Sequence, residues 1–248
     1  TNQHETLRTV FVGTATEPVQ RILPQVETTL HFENLTAHNQ AAIIERLRAL
    51  AKDHFNLAQG PLLKLHVVQT GADDCLLLLV IHHIICDLWS MDIFFRDLGR
   101  WYEHHIADVA PRPPALAVQY ADYALWQRQL LSGERLQRHV EYWLRQLADA
   151  PPVLELVSDR PRPAEPGYRG GWQSICLPAT LSAALQALAK SFGCTLFMLT
   201  FSAFAALLHK YSGEDDLVIG TPISGRQNTE LEQLTGFFLN TLALRVKI

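Results

Sequence analysis

The chain has 248 residues, 48% hydrophobic and 19% charged, the balance of a globular protein long enough for one large domain or two small ones. A formal net charge of -4 with no Lys/Arg block argues against nucleic acid as a partner. No apolar run approaches the roughly 20 residues that span a bilayer, so no membrane partner is expected.

The opening TNQHETLRTVF matches neither a signal nor a transit peptide. With four mutually isolated cysteines (Cys75, Cys86, Cys176, Cys194) and no CxxC pair, it points to free thiols in a reducing cytoplasm. No metal site is expected. The start without methionine and the alternating strand pattern at the end suggest a piece of something longer.

Glu5–Phe11 suits a short strand. Ile43, Ile44, Leu47, Leu50, Ala51 and Phe55 fall at helical spacing, with Thr36 as an available cap. Leu63, Leu65 and Val67 alternate, Gly71–Asp74 supplies turn residues, and Cys75–Ile81 is continuously apolar. That pattern predicts a hairpin whose second strand is buried on both faces. The second strand ends in His82 and His83, and Asp87 follows four residues later. Ser90 can then cap a helix that places Ile93, Phe94, Leu98, Trp101 and Tyr102 on one face. His104 and His105 at its end complement the helix dipole.

A proline-rich link (Pro111, Pro113, Pro114) leads to helical patterns at Gln119–Leu131 and around Leu136, Val140, Trp143, Leu144 and Leu147. Pro151–Gly171 lacks periodicity and reads as a connection between two lobes. Trp172–Leu177 looks like a strand. Thr180–Phe192 and Thr195–Tyr211 look like helices, the second apolar nearly all round and so deeply buried. Leu217–Thr221 and Thr241–Ile248 have strand patterns. Strands and helices mix without a regular βαβ repeat, and no dinucleotide fingerprint, phosphate loop or hydrolase elbow is present.

Chemistry is expected where the apolar strand delivers its imidazole pair. A neutral imidazole accepts protons near neutral pH. Adjacent histidines on extended backbone face opposite ways, and the alternation leaves open which one faces a cleft. Asp87 either orients an imidazole or is neutralised by an arginine. Two satisfied core histidines at a strand end are the alternative reading of the same pattern.

The stretch IHHIICDLWS (Ile81–Ser90) resembles the HHxxxDG signature of condensation domains of nonribosomal peptide synthetases, relatives of chloramphenicol acetyltransferase. HETLRTVF (His4–Phe11) is similar to that family's RHExLRTxF segment, with Gln3 at the arginine position. YADYALW (Tyr120–Trp126) is similar to YxDFAVW, and TGFFLNTLALR (Thr235–Arg245) to GxFVNTxxxR. PVLELVSDRPRP and YSGEDDLVIGTPISGR also read like connecting sequence of that family.

The resemblance implies an α+β fold, the α/β sandwich of chloramphenicol acetyltransferase, with mixed sheets and packed helices in two lobes. Residues 1–160 would be the N-terminal lobe and 161–248 an incomplete second one, about half a full domain. His83 would be catalytic, taking a proton from the acceptor amine or holding that amine for attack on a thioester. His82 and Asp87 would be structural, Asp87 paired with Arg226. Asn240 would line the substrate channel, with Leu88, Trp89 and Ser90 beside it, and a backbone N–H after Asp87 would receive a developing oxyanion. The reaction would form an amide between a donor and an acceptor, each a thioester on the phosphopantetheine arm of a carrier protein. Neighbouring synthetase domains would be further partners, and no intrinsic cofactor would be needed. Leu88 departs from the glycine usual after the aspartate, which would matter if that position required a positive φ or close approach to substrate. A non-catalytic platform that recruits carrier proteins or partner enzymes, or an epimerisation domain, is the alternative.

Overall fold

The computed structural model describes residues 2–13, 16–109, 115–161, 163, 165 and 170–248, so the proline link at Pro111, Pro113 and Pro114 lies outside the described residues. The architecture is mixed α+β, and contacts divide it into two compact units: Thr1–Leu136 with Ile223–Asn240, and Gln137–Pro222 with Thr241–Ile248.

In the first unit, Glu5–Arg8 is a turn of 3₁₀ helix rather than strand. The Thr9 hydroxyl donates to the Glu5 carbonyl and the Arg8 guanidinium to the Glu5 carboxylate, local bonds that close the turn. Strand β1 (Thr9–Gly13) follows and pairs antiparallel with β2 (Pro18–Ile22). A further strand, β3 (Leu30–Asn34), runs parallel to β4 (Leu63–Gln69), with Leu30 opposite Leu65. Helix α1 (Gln40–Ala51) supplies the crossover that a parallel pair requires. Its cap is Asn39, whose side chain accepts the Ala42 N–H at 2.9 Å, whereas the Thr36 hydroxyl donates to Asn34. PVQRI of β2 is largely exposed and does not alternate, whereas LHFEN of β3 alternates apolar and polar from Leu30 to Glu33, a strand pattern that sequence reasoning misses, and leaves Leu30 and Phe32 exposed.

Strand β5 (Cys75–Ile81) pairs antiparallel with β4, with Leu63 opposite Ile81. It stands at the edge of the β3–β4–β5 sheet, so its start is exposed, and burial on both faces is not observed. Beneath the strand's end, Leu7, Leu62, Leu63 and Ile85 form a core packed by Phe11, Phe55 and Phe94. Helix α2 (Leu88–Ile106) buries Ser90 and Ile93 and ends at His104 and His105. Helix α3 (Tyr120–Leu130) is held by a reciprocal cap, in which the Gln119 N–H donates to Asp122 and Asp122 N–H bonds return to Gln119. Tyr123 of α3 packs with Leu231, Leu234 and Phe238 in a second core.

Helix α4 (Gly133–Gln146) continues into the second unit, which holds α5 (Ala179–Ser191), α6 (Leu196–Ser212) and most of strands β6 (Asp216–Ser224) and β7 (Leu239–Lys247). Thr195 caps α6 by accepting the Met198 N–H, and Gly213, at φ +74°, ends it in the left-handed conformation that glycine adopts freely. Arg245 on β7 donates to the Asp216 carboxylate and to the carbonyls of Gln146 and Ala148, tying β7 to the end of α4. The expected deep burial of α6 is not found: only Ala205 is buried, and Phe197, Met198, Phe204 and Leu207 are about half exposed. Likewise α4 buries no side chain fully. Trp172–Leu177 forms no strand, since it finds no partner ladder among the described residues, and Trp172 is 92% exposed.

Leu62 is 1% exposed in the core that supports the histidine turn. Leu62→Ala is expected to cost about 3 kcal/mol in urea unfolding. A loss well under about 1 kcal/mol would mean that this core is not close-packed.

Candidate active site

The chemistry-bearing turn begins where β5 stops. The His82 N–H donates to the Leu62 carbonyl at 3.0 Å, which carries the chain one residue past the ladder. The His82 ring turns back toward the packing, accepting the Ile84 N–H on Nδ1 at 3.1 Å and meeting Phe55 edge-on at 5.9 Å. A 3₁₀ turn at His83–Ile85 then closes, with the Ile85 N–H on the His82 carbonyl and the Cys86 N–H on the His83 carbonyl. This turn separates the two histidines: His82 is partly buried and His83 is exposed.

His83 Nδ1 lies 2.5 Å from the Cys86 carbonyl oxygen. A carbonyl only accepts, so Nδ1 carries the hydrogen, and the neutral ring keeps its lone pair on Nε2. The imidazole and the Phe237 ring meet edge-to-face, with centroids 5.0 Å apart and planes at 87°. The arrangement is that of a base, with one nitrogen anchored and the other available.

Asp87 follows directly and caps α2. Its Oδ1 accepts the Ser90 N–H at 2.8 Å and the Ser90 hydroxyl at 2.6 Å, making Asp87, not Ser90, the cap. The Arg226 guanidinium donates to Oδ1 at 3.1 Å and to Oδ2 at 3.4 Å, and the Phe238 N–H donates to Oδ2 at 3.2 Å. Both ionic side chains are almost wholly buried, with side-chain exposures of 1% for Arg226 and 2% for Asp87. Arg226 also donates to the Leu231 and Leu234 carbonyls and to the Ser90 hydroxyl, and it stacks over Phe238 at 3.9 Å. The Ser90 hydroxyl in turn accepts the Gly236 N–H at 3.0 Å.

Burial alone would raise the Asp87 carboxyl, but the Ser90, Arg226 and Phe238 donors outweigh it and hold the group below the usual carboxylate range. For Arg226, burial lowers the guanidinium and the Asp87 charge opposes it. Burial pushes the Cys86 thiol up to about 11, so it stays protonated and is no nucleophile. Burial, with Tyr123 and Asp87 nearby, lifts Tyr120 to about 12; its neutral hydroxyl donates to the Phe237 carbonyl at 2.8 Å.

Leu88 opens α2 without a positive φ, so its backbone requires no glycine, and its side chain is 79% exposed. Trp89 is half exposed, with its indole N–H on the Glu232 carbonyl at 2.9 Å. Asn240 is exposed near the start of β7. Sequence reasoning misses the contributions of Gly236, Phe237 and Phe238. Gly236 has a packing requirement that a motif match alone does not disclose: a Cβ there would lie 2.3 Å from the Tyr120 ring.

The sign of the acid dependence follows from Asp87. Its folded-state pKa lies below the unfolded value of about 3.9, so its stabilisation is present above that value and is lost as pH falls toward the folded pKa. The urea midpoint is expected to fall as pH drops from about 5 to below 4, and to fall less steeply in Asp87→Asn. Parallel curves for the two proteins would contradict this.

The Condensation domain family profile matches residues 1–248. A linear gramicidin synthase of Brevibacillus parabrevis is 42% identical over 247 residues, covering 98% of this chain and 3% of that protein. Phosphinothricin tripeptide synthetase PhsC of Streptomyces viridochromogenes is 42% identical over 252 residues, covering 100% of this chain and 23% of that one. The X-domain from teicoplanin biosynthesis superposes with a TM-score of 0.89 at 31% identity, over 99% of this chain and 55% of that one; its complex with OxyB superposes at 0.83. The chain thus spans about half of that solved domain and a smaller share of the synthetases. With these matches, the mixed fold is of the chloramphenicol acetyltransferase type, and the chain belongs to the condensation-domain family of nonribosomal peptide synthetases.

Proposed function

We propose that this chain contributes the catalytic lobe of an amide-forming condensation domain, with residues 1–160 as the N-terminal lobe and 161–248 as part of the second. The observation that carries this reading is the exposed His83 imidazole, anchored through Nδ1 on the Cys86 carbonyl so that the lone pair of the neutral ring is left on Nε2. The substrates are a donor acyl or peptidyl thioester and an acceptor aminoacyl thioester, each on the phosphopantetheine arm of a carrier protein. The acceptor nitrogen bonds to the donor carbonyl carbon as its proton passes to Nε2. The C–S bond then breaks, and the departing thiolate takes that proton. An amide, a free thiol and a neutral imidazole remain.

The other site residues serve this step. His82 and the Asp87–Arg226 pair hold the turn. Leu88 lies in the first turn of α2, where backbone N–H groups lack helical acceptors and the helix dipole favours negative charge, a suitable place for the developing oxyanion. Leu88, Trp89 and Asn240 are exposed and are assigned to the substrate channel, with buried Ser90 behind them. The reaction requires no soluble cofactor, and the cytoplasm, where synthetase modules meet their carriers, is the proposed compartment. Among the described residues no single helix is long and apolar enough to cross a membrane.

A second reading, a platform that recruits a partner enzyme, is favoured by the likeness to the teicoplanin X-domain, whose solved complex contains OxyB. The test supplies loaded donor and acceptor carrier proteins to the intact protein and follows amide product in single turnovers. His83→Ala is expected to lower the rate by about 10²–10⁴-fold. Equal rates in both proteins would contradict the catalytic assignment. No product from the parent, with a partner enzyme retained on it, would favour the platform.

A further inference from the structure

Among the described residues no hydrogen bond joins the buried Asp87–Ser90–Arg226 cluster to the His83 ring, yet the cluster lies beside it. The segment Gly236–Phe238 offers the connection. Its backbone is fixed at three consecutive residues: the Gly236 N–H on the Ser90 hydroxyl at 3.0 Å, the Phe237 carbonyl under the Tyr120 hydroxyl at 2.8 Å, and the Phe238 N–H on Asp87 Oδ2 at 3.2 Å. Phe238 is buried under the Arg226 guanidinium. Between these anchors Phe237 points the other way and meets the His83 ring at 5.0 Å and 87°.

That contact completes the restraint on the imidazole. The Nδ1 bond to the Cys86 carbonyl fixes one atom of the ring but leaves it able to swing about that bond. An edge-to-face aromatic neighbour opposes the swing, because the arrangement favours one relative orientation of the two rings. We propose that Phe237 is a positioning residue for His83, and that it transmits to the imidazole the rigidity of the Asp87–Ser90–Arg226 cluster. The inference rests on the catalytic assignment of His83 and adds to it a reason for the cluster's position: Asp87 acts on His83 from two sides, through the α2 cap immediately after it and through the backbone that presents Phe237.

Phe237 is 38% exposed, and the anchoring bonds of its segment belong to the main chain, so its substitution leaves them in place. In the intact protein with loaded carriers, Phe237→Leu is expected to lower kcat by about tenfold or more with KM changed less than about twofold, since misplacing a catalytic group costs rate rather than binding. Phe237→Tyr, which keeps the ring, is expected to restore most of the rate. In a His83→Ala background, Phe237→Leu is expected to have no further effect, because its action passes through the missing imidazole. A rise in KM at unchanged kcat would overturn the proposal, as would the same loss in the His83→Ala background or a failure of tyrosine to restore the rate. Failure of the catalytic reading looks different: His83→Ala would itself run at the parent rate.

Discussion

The structure around the histidine turn depends on one buried ion pair. Asp87 and Arg226 are 139 residues apart in sequence and 3.1 Å apart in space, and both are nearly sealed from water. An unpaired charge in that position would be strongly destabilising, so each side chain commits the other's segment to a place. Most of the pair's donors and acceptors are used, while Arg226 Nε is buried without a hydrogen-bond partner among the described residues. Asp87 accepts from a side-chain hydroxyl, two backbone amides and a guanidinium; Arg226 donates to two carbonyls that close the 3₁₀ turn at Thr229–Gln233. Such a cluster is electrostatically costly to rearrange, which suits a part that must hold geometry rather than react.

What it holds is an imidazole with an assigned polarity. Sheet register brings β5 to its end opposite Leu63, the 3₁₀ turn separates the two histidines, and the α2 cap begins at once. His82 satisfies itself inside the turn, whereas His83 is anchored through Nδ1 and left open at Nε2. The neighbouring groups that titrate are kept out of the way. Cys86 stays a thiol, Tyr120 stays a phenol, and Asp87 stays ionised. Under the proposed function, His83 is the group at this turn that takes the proton.

Much of this is legible in the residues. The apolar run ending in His82 and His83 places the strand and the turn closely, whereas α2 begins at Leu88, three residues before the start that a Ser90 cap implies. The family resemblance singles out Arg226 as the partner of Asp87, a contact that periodicity has no means of revealing because it joins distant segments. Other features are hidden for identifiable reasons. Strand β2 carries exposed residues without alternation, whereas β3 alternates only over Leu30–Glu33, a run too short to stand out, with Leu30 and Phe32 exposed rather than buried. Trp172–Leu177 has the composition of a strand, but strands are made by partners, and composition does not supply one. Asp87 outcompetes Ser90 for the cap because its carboxylate accepts both the N–H and the hydroxyl of Ser90. The proposed role of Phe237 needs coordinates, since it arises from three main-chain bonds that the side-chain pattern does not disclose.

The central claim is that the turn presents His83 as a neutral base with its hydrogen on Nδ1 and its lone pair on Nε2. Nitrogen NMR of the intact protein, labelled at its histidine ring nitrogens and assigned by comparison with His83→Ala, reads this directly. The account predicts that the neutral form of the His83 ring gives one protonated Nδ1 and one unprotonated Nε2. A ring protonated at Nε2 alone, or averaged between the two tautomers, would contradict it.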